Sequence, residues 1–264
     1  MSNIPNNRSI DDMKLWSVKR FDVKAGQKCC YIRSCTILPN KQLIFADENN
    51  QRLVVVGTDG KHVCDIIVSQ KPFDIEPIDF AKIAVSYGIA KYIEVINIED
   101  KKVESRMELK GFCSGLTLVN GKLFVLVNGH GIQEIDLTNK SVTSLELPVK
   151  QSFVITSGGG RLYCADLKSN SLCCYTSGIL VWRLTSPLLH ISQAISADEY
   201  GNVFLTETDS NQIVAISLDG ANTRKLLDDK QGINLPSAVY YDKSTKHLLV
   251  CNRENGRAFL YSLM

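Results

Sequence analysis

No apolar run in the 264 residues approaches the length of a membrane span, and the polar start, Met1 to Asp12, lacks the apolar segment of a secretory signal. Neither a membrane-spanning helix nor export is therefore expected. The nine cysteines contain no Cys-x-x-Cys pair, and the four histidines stand in no ligand-like spacing with them. That argues against a structural zinc site. Most of the cysteines (Cys29, Cys30, Cys35, Cys64, Cys113, Cys164, Cys173, Cys174 and Cys251) fall inside apolar strand-like runs, where a free thiol packs as a small hydrophobe. A disulfide framework is not expected, and a reducing, cytoplasmic setting is. Charge of one sign is also missing: 30 Lys and Arg stand against 28 Asp and Glu. Net charge alone gives no reason to expect nucleic acid, although a local basic face would. Helical periodicity is scarce throughout.

What recurs instead is a short β-rich run followed by turn residues. The strongest runs begin at Leu43, Ile83, Leu123, Leu162, Val203 and Leu248, separated by 40, 40, 39, 41 and 45 positions. A strand-based repeat of about 40 residues points to a β-propeller. Companion strands surround each run: Gly115–Val119 precedes the Asn120-Gly121 hairpin signal, Gln133–Leu137 follows, then Ser141–Glu146. Gly158-Gly159-Gly160 reads as the equivalent hairpin in the fourth unit, since no helix follows it to make a phosphate cradle. Six units of four antiparallel strands cover one another only by closing into a ring.

The last unit has three strands, ending at Phe259–Ser262, whereas a spare strand, Leu15–Val23, precedes the first. The fold expected is all-β: a six-bladed propeller over residues 14–264, closed by pairing of the N-terminal strand with the last blade. Residues 1–13 are expected to be a flexible leader. Ring closure should remove unpaired edges, so the isolated domain is expected to be a monomer.

Trp16 and Trp182 are not followed by Asp, so the Trp-Asp repeat signature is missing. Ala46-Asp47-Glu48-Asn49-Asn50-Gln51-Arg52-Leu53 resembles the signature of NHL repeats. Fainter copies run from Ala165-Asp166 to Asn170, from Thr206 to Asn211, and from Cys251 to Asn255. Pro72–Ile75 and Leu235–Val239 resemble the start of an NHL blade. Blades two and three depart from the pattern, with Tyr87 and Val127 where the first has Asp47. The resemblance is to the C-terminal propellers of tripartite-motif (TRIM) ubiquitin ligases. It implies a non-catalytic recognition arm that binds a partner or ubiquitination substrate, separated from its RING. Asp47, Asn50, Asp166, Asn170, Asn211 and Asn255 are expected to be turn residues that tie backbone, with no chemical role.

One propeller face gathers the inter-blade segments and the turns between second and third strands. On it the sequence places Lys28, Tyr31, Lys71, Phe73, Lys110, Phe112, Lys150 and Phe153, with Arg52, Lys168 and Arg253 from the turns. A partner protein suits that mixture of aromatics and cations. A ring of cations beside aromatics would equally suit single-stranded RNA, which the resemblance also implies for some relatives. The third reading is a metal-dependent, lactonase-like hydrolase. Only Asp74 supplies a carboxylate among the innermost strand starts, however, where a metal needs several oxygen ligands. No cofactor, metal or catalytic residue is expected.

Overall fold

The computed structural model describes residues 8–145, 147, 149, 152–166, 169–186 and 193–264, and for Asp166 the backbone alone. Six four-stranded antiparallel sheets form the ring. Blade 1 holds β2 (Ile32–Ile37), β3 (Leu43–Asp47), β4 (Arg52–Val56) and β5 (His62–Ile67). Blade 2 holds β6 (Asp74–Pro77), β7 (Lys82–Ser86), β8 (Tyr92–Asn97) and β9 (Lys102–Glu108). In blade 3 these are β10 (Cys113–Val119), β11 (Lys122–Val127), β12 (Gly131–Asp136) and β13 (Val142–Leu145). Blade 4 runs through β14 (Ile155–Gly158), β15 (Arg161–Asp166), β16 (Ser171–Thr176) and β17 (Ile179–Thr185). Blade 5 has β18 (Ile195–Ala197), β19 (Val203–Glu207), β20 (Gln212–Ile216) and β21 (Thr223–Leu227). Blade 6 has β22 (Pro236–Asp242), β23 (His247–Asn252) and β24 (Arg257–Leu263), completed by β1 (Leu15–Asp22).

The sequence dictates which strands lie inside. Leu43–Asp47 and Arg52–Val56 do not alternate apolar with polar, and every residue of both is buried. A strand covered on both faces needs that composition. Blade 1 meets blade 2 through Ile44, Val55, Ile75, Ile83 and Tyr87, so the core is divided into layers between blades. Outer strands carry polar residues instead, and β17 is exposed over most of its length. The first strands of neighbouring blades adjoin around the axis, with β22 beside β2 completing the circle. Asn120 and Gly121 have φ of 50° and 79°, the left-handed pair that a two-residue hairpin requires. Gly159 and Gly160 make the same turn between β14 and β15.

Closure takes the expected form. β1 pairs antiparallel with β24 from Leu15 opposite Leu263 to Asp22 opposite Arg257. Two expectations need correction. The chain is already packed before residue 14: Ile10 and Met13 are buried between blades 5 and 6, and the Arg224 guanidinium donates to the carbonyls of Ile10, Asp11 and Met13. Closure also leaves β1 itself as an outer edge, with Trp16 56% exposed. The ring joins blades without abolishing the outer edge of each.

Candidate recognition face and central channel

The innermost strands of neighbouring blades share no backbone ladder, and side chains link them instead. Asp74 on β6 accepts from the Ser34 hydroxyl of blade 1 at 2.6 Å and from the Leu116 amide of blade 3 at 2.8 Å. Glu76, two residues on and therefore on the same side of the strand, accepts from the Leu118 amide at 2.9 Å. Ser86 donates to the Ser114 carbonyl, and Ser196 accepts from the Tyr241 amide. These contacts surround a channel of about 290 Å³ lined by Arg33, Asp74, Glu76, Thr117, Ser157, Tyr240 and Lys243 among others. Burial pushes Asp74 up to about 6, with the Ser34 and backbone bonds opposing it. Burial likewise pushes Glu76 up to about 8, aided by the Asp74 charge. Lys243 is lowered by burial at the far end, where its ammonium donates to the Ser157 carbonyl. Among the described residues no three His, Cys, Asp or Glu side chains gather as a metal centre requires.

Three phenylalanines meet at the near mouth of this channel. Phe73, Phe112 and Phe153 approach the first strands of blades 2, 3 and 4, and their ring centroids lie 5.2, 5.8 and 6.2 Å apart. Edge-to-face and tilted pairs at such distances are favourable for aromatic rings. The Arg33 guanidinium stacks on Phe73 at 4.1 Å and donates to Gln193 across the opening. A register shift between Ile32 and Ser34 accompanies this placement, as bulges re-aim side chains. Gly88, at φ 44°, lies against the Phe112 ring, and a Cβ there would come within 2.9 Å of it. Ile89 beyond it is 84% exposed.

The expected site residues therefore separate into groups. Phe73, Phe112 and Phe153 form one half-buried knot, where the sequence suggested rings spread separately around the face. Lys71 and Lys110 are exposed beside it, Lys71 standing 3.7 Å from Glu48. Lys28 is exposed and Tyr31 half-buried at the junction of blades 6 and 1, where the Arg253 guanidinium lies 5.5 Å from the Tyr31 ring. Arg52 is corrected: it is 4% exposed and bonds Asp47, Asp65 and the Lys24 carbonyl, leaving no cation for a ligand. Lys150 and Lys168 lie outside the described residues, as does the Asp166 side chain.

Around the turns, Asp47 accepts from the Tyr31 amide and from Asn50 and Arg52, while Asn50 bonds the Lys28 amide and carbonyl. Asn211 accepts from the Leu235 amide of the next blade, and Asn255 from Arg257 in its own turn. Asn170 and Asn211 occupy a different position from Asn50. They are the last turn residue, left-handed in five blades at Gln51, Lys91, Asn170, Asn211 and Gly256, while in blade 3 the left-handed residue is Gly131, the first of β12.

Arg33, Ile89 and Glu76 escaped the sequence reading. Glu76 was accessible, since a period of two carries Asp74's orientation to it. Arg33 depends on a bulge, and Ile89 sits where the Asp/Asn pattern lapses, so neither had a local signal.

No family model matches the sequence, and no curated protein matches it. Solved structures do. Virginiamycin B lyase from Staphylococcus aureus superposes with a TM-score of 0.65 at 14% identity, covering 96% of this chain and all of that one. A structural genomics protein of unknown function from Bacteroides thetaiotaomicron gives 0.75 at 11% identity, over 96% of this chain and 76% of that one. The Cps50 (Swd1) propeller domain from Myceliophteria thermophila gives 0.68 at 7%, over 95% of this chain and all of that one. Identities this low carry the fold alone: the chain is a six-bladed β-propeller.

Proposed function

We propose that this propeller is a non-catalytic recognition domain that holds a partner protein at the near mouth of its channel. The observation that carries this reading is the Phe73–Phe112–Phe153 knot, half-buried on a rigid ring beside exposed Lys71 and Lys110. Aromatic clusters with a polar, cationic rim are the usual anchors of protein recognition. Rings that pack on one another offer less face for stacking bases, and Arg52 is spent internally, which weighs against RNA. In the channel, the Asp74 and Glu76 carboxylates hold backbone amides of blade 3, a structural employment that weighs against the hydrolase reading. One superposing structure is a lyase, and its printed activity would come to this chain only with the likeness in fold. The Asp47–Asn50 turn, with its likeness to the NHL signature, supports reading the domain as the substrate arm of a TRIM-like ubiquitin ligase, and the free cysteines suit a reducing cytoplasm.

A photocrosslinking residue placed at Lys71 or Phe153 tests the face against the same residue at Thr138, in the turn between β12 and β13 at the opposite end. Crosslinks to one protein from the first two positions and not from Thr138 are expected. Equal capture at Thr138, or crosslinks to RNA alone, would overturn the reading.

A further inference from the structure

The turn from Tyr87 to Lys91 is built to hold an aliphatic side chain in water. Gly88 exchanges backbone bonds with Cys113 of blade 3 at 3.0 and 3.3 Å, Ala90 donates to the Tyr87 carbonyl, and Leu109 donates to that of Lys91. Tyr87 is 2% exposed and packs on Tyr92 at 4.9 Å, while Phe112 backs Gly88. Gly88 thus ties the turn to blade 3, and Tyr87, Ala90 and Lys91 tie it within blade 2, yet Ile89 itself is 84% exposed. An isoleucine on a mobile loop would need no explanation, but one fixed on a platform presents an apolar contact for a ligand to cover.

The charge around it has one prevailing sign. Lys91 and Lys110 flank the turn and are exposed. Arg106 is held by Glu94 at 2.7 Å and lies over Tyr92, so those two cancel. Lys71 stands near Glu48. Glu108, opposite Tyr92 at the end of β9, is the acid left on this sector among the described residues.

We propose that this platform binds an acidic peptide segment, with an aliphatic or aromatic side chain seated on Ile89 and Phe112 and carboxylates facing Lys91 and Lys110. The inference rests on the partner-protein reading and narrows it to one sector and one ligand chemistry. A single isoleucine gives too little apolar area to hold a lipid surface, for which larger buried faces are needed.

Selection of random twelve-residue peptides on the domain provides the test. Enrichment of acidic peptides bearing a Leu, Ile, Phe or Trp is expected. Binding of an enriched peptide, read by fluorescence anisotropy, should weaken at least tenfold in Ile89→Ser. It should weaken similarly in Lys91→Glu/Lys110→Glu, with the salt dependence lost. Unchanged melting midpoints would show that both surface variants remain folded. Enriched peptides without net negative charge, or insensitive to both variants, would overturn the acidic ligand while the crosslinking result above still decides the recognition reading. Capture by anionic vesicles with no peptide enriched would overturn the inference in favour of a membrane surface.

Discussion

At the scale of single residues, the most heavily committed side chain is Asp47. It is fully buried, pairs with Arg52 at 3.0 Å, and accepts from Tyr31 and Asn50. Removing one partner of a buried pair strands the other. Asp47→Ala should therefore cost about 3 kcal/mol in urea unfolding, at the lower end for such pairs because Asp65 still holds Arg52. A loss below about 1 kcal/mol would mean that the turn keeps itself without the carboxylate. The Asp47–Asn50 turn was legible because its bonds are local and Asx side chains make them wherever they occur. Arg52 belongs inside, and not on the recognition face where its turn suggests it, for a reason visible in the register: Asp47 and Arg52 are direct cross-strand partners flanking the turn. A cation opposite a buried acid points inward, and that pairing outweighed its nearness to the surface.

Among the elements, the 40-residue period located all six second strands, since strands covered on both faces must be apolar without interruption. The period also marked Phe73, Phe112 and Phe153 as equivalent. It did not reveal that equivalent residues meet, because their convergence depends on how tightly blades 2, 3 and 4 crowd the axis. The missing fourth strand of blade 6 identified β1 as its partner, yet Ile10 and Met13 extend that closure into a segment whose polar composition concealed it. Deleting residues 1–23 removes both the β1 ladder and these two buried side chains. The melting midpoint should fall by roughly 10 °C or more, given about 2–4 °C per kcal/mol for a chain of this size. An unchanged midpoint would mean that three strands suffice for blade 6.

For the molecule as a whole, the blades are held at the axis by side chains in place of a ladder, and two of those side chains titrate. Asp74 and Glu76 are both raised, mainly by burial. The folded ring then keeps protons that the unfolded chain releases, so their contribution is complete below about pH 4 and declines as pH rises. Asp74's share is lost through about 6 and Glu76's through about 8. Glu76→Gln retains an oxygen for the Leu118 amide without a charge to bury. Its melting midpoint relative to the parent should climb from pH 5 to pH 8.5, and a difference flat across that range would remove Glu76 from the titration.

Blade 6 has one more consequence. Lys14 and Met264 exchange two backbone hydrogen bonds, at 2.8 and 2.9 Å, so the first and last residues of the ring lie side by side. A polypeptide that runs into this domain leaves it again at the same spot. The domain can accordingly sit within a surface loop of an unrelated host whose stems stand one strand spacing, about 5 Å, apart at Lys14 and Met264, with Ile10 and Met13 kept in the entering stem. By the same geometry a short linker across that gap would let the chain be cut and restarted at any exposed turn between blades.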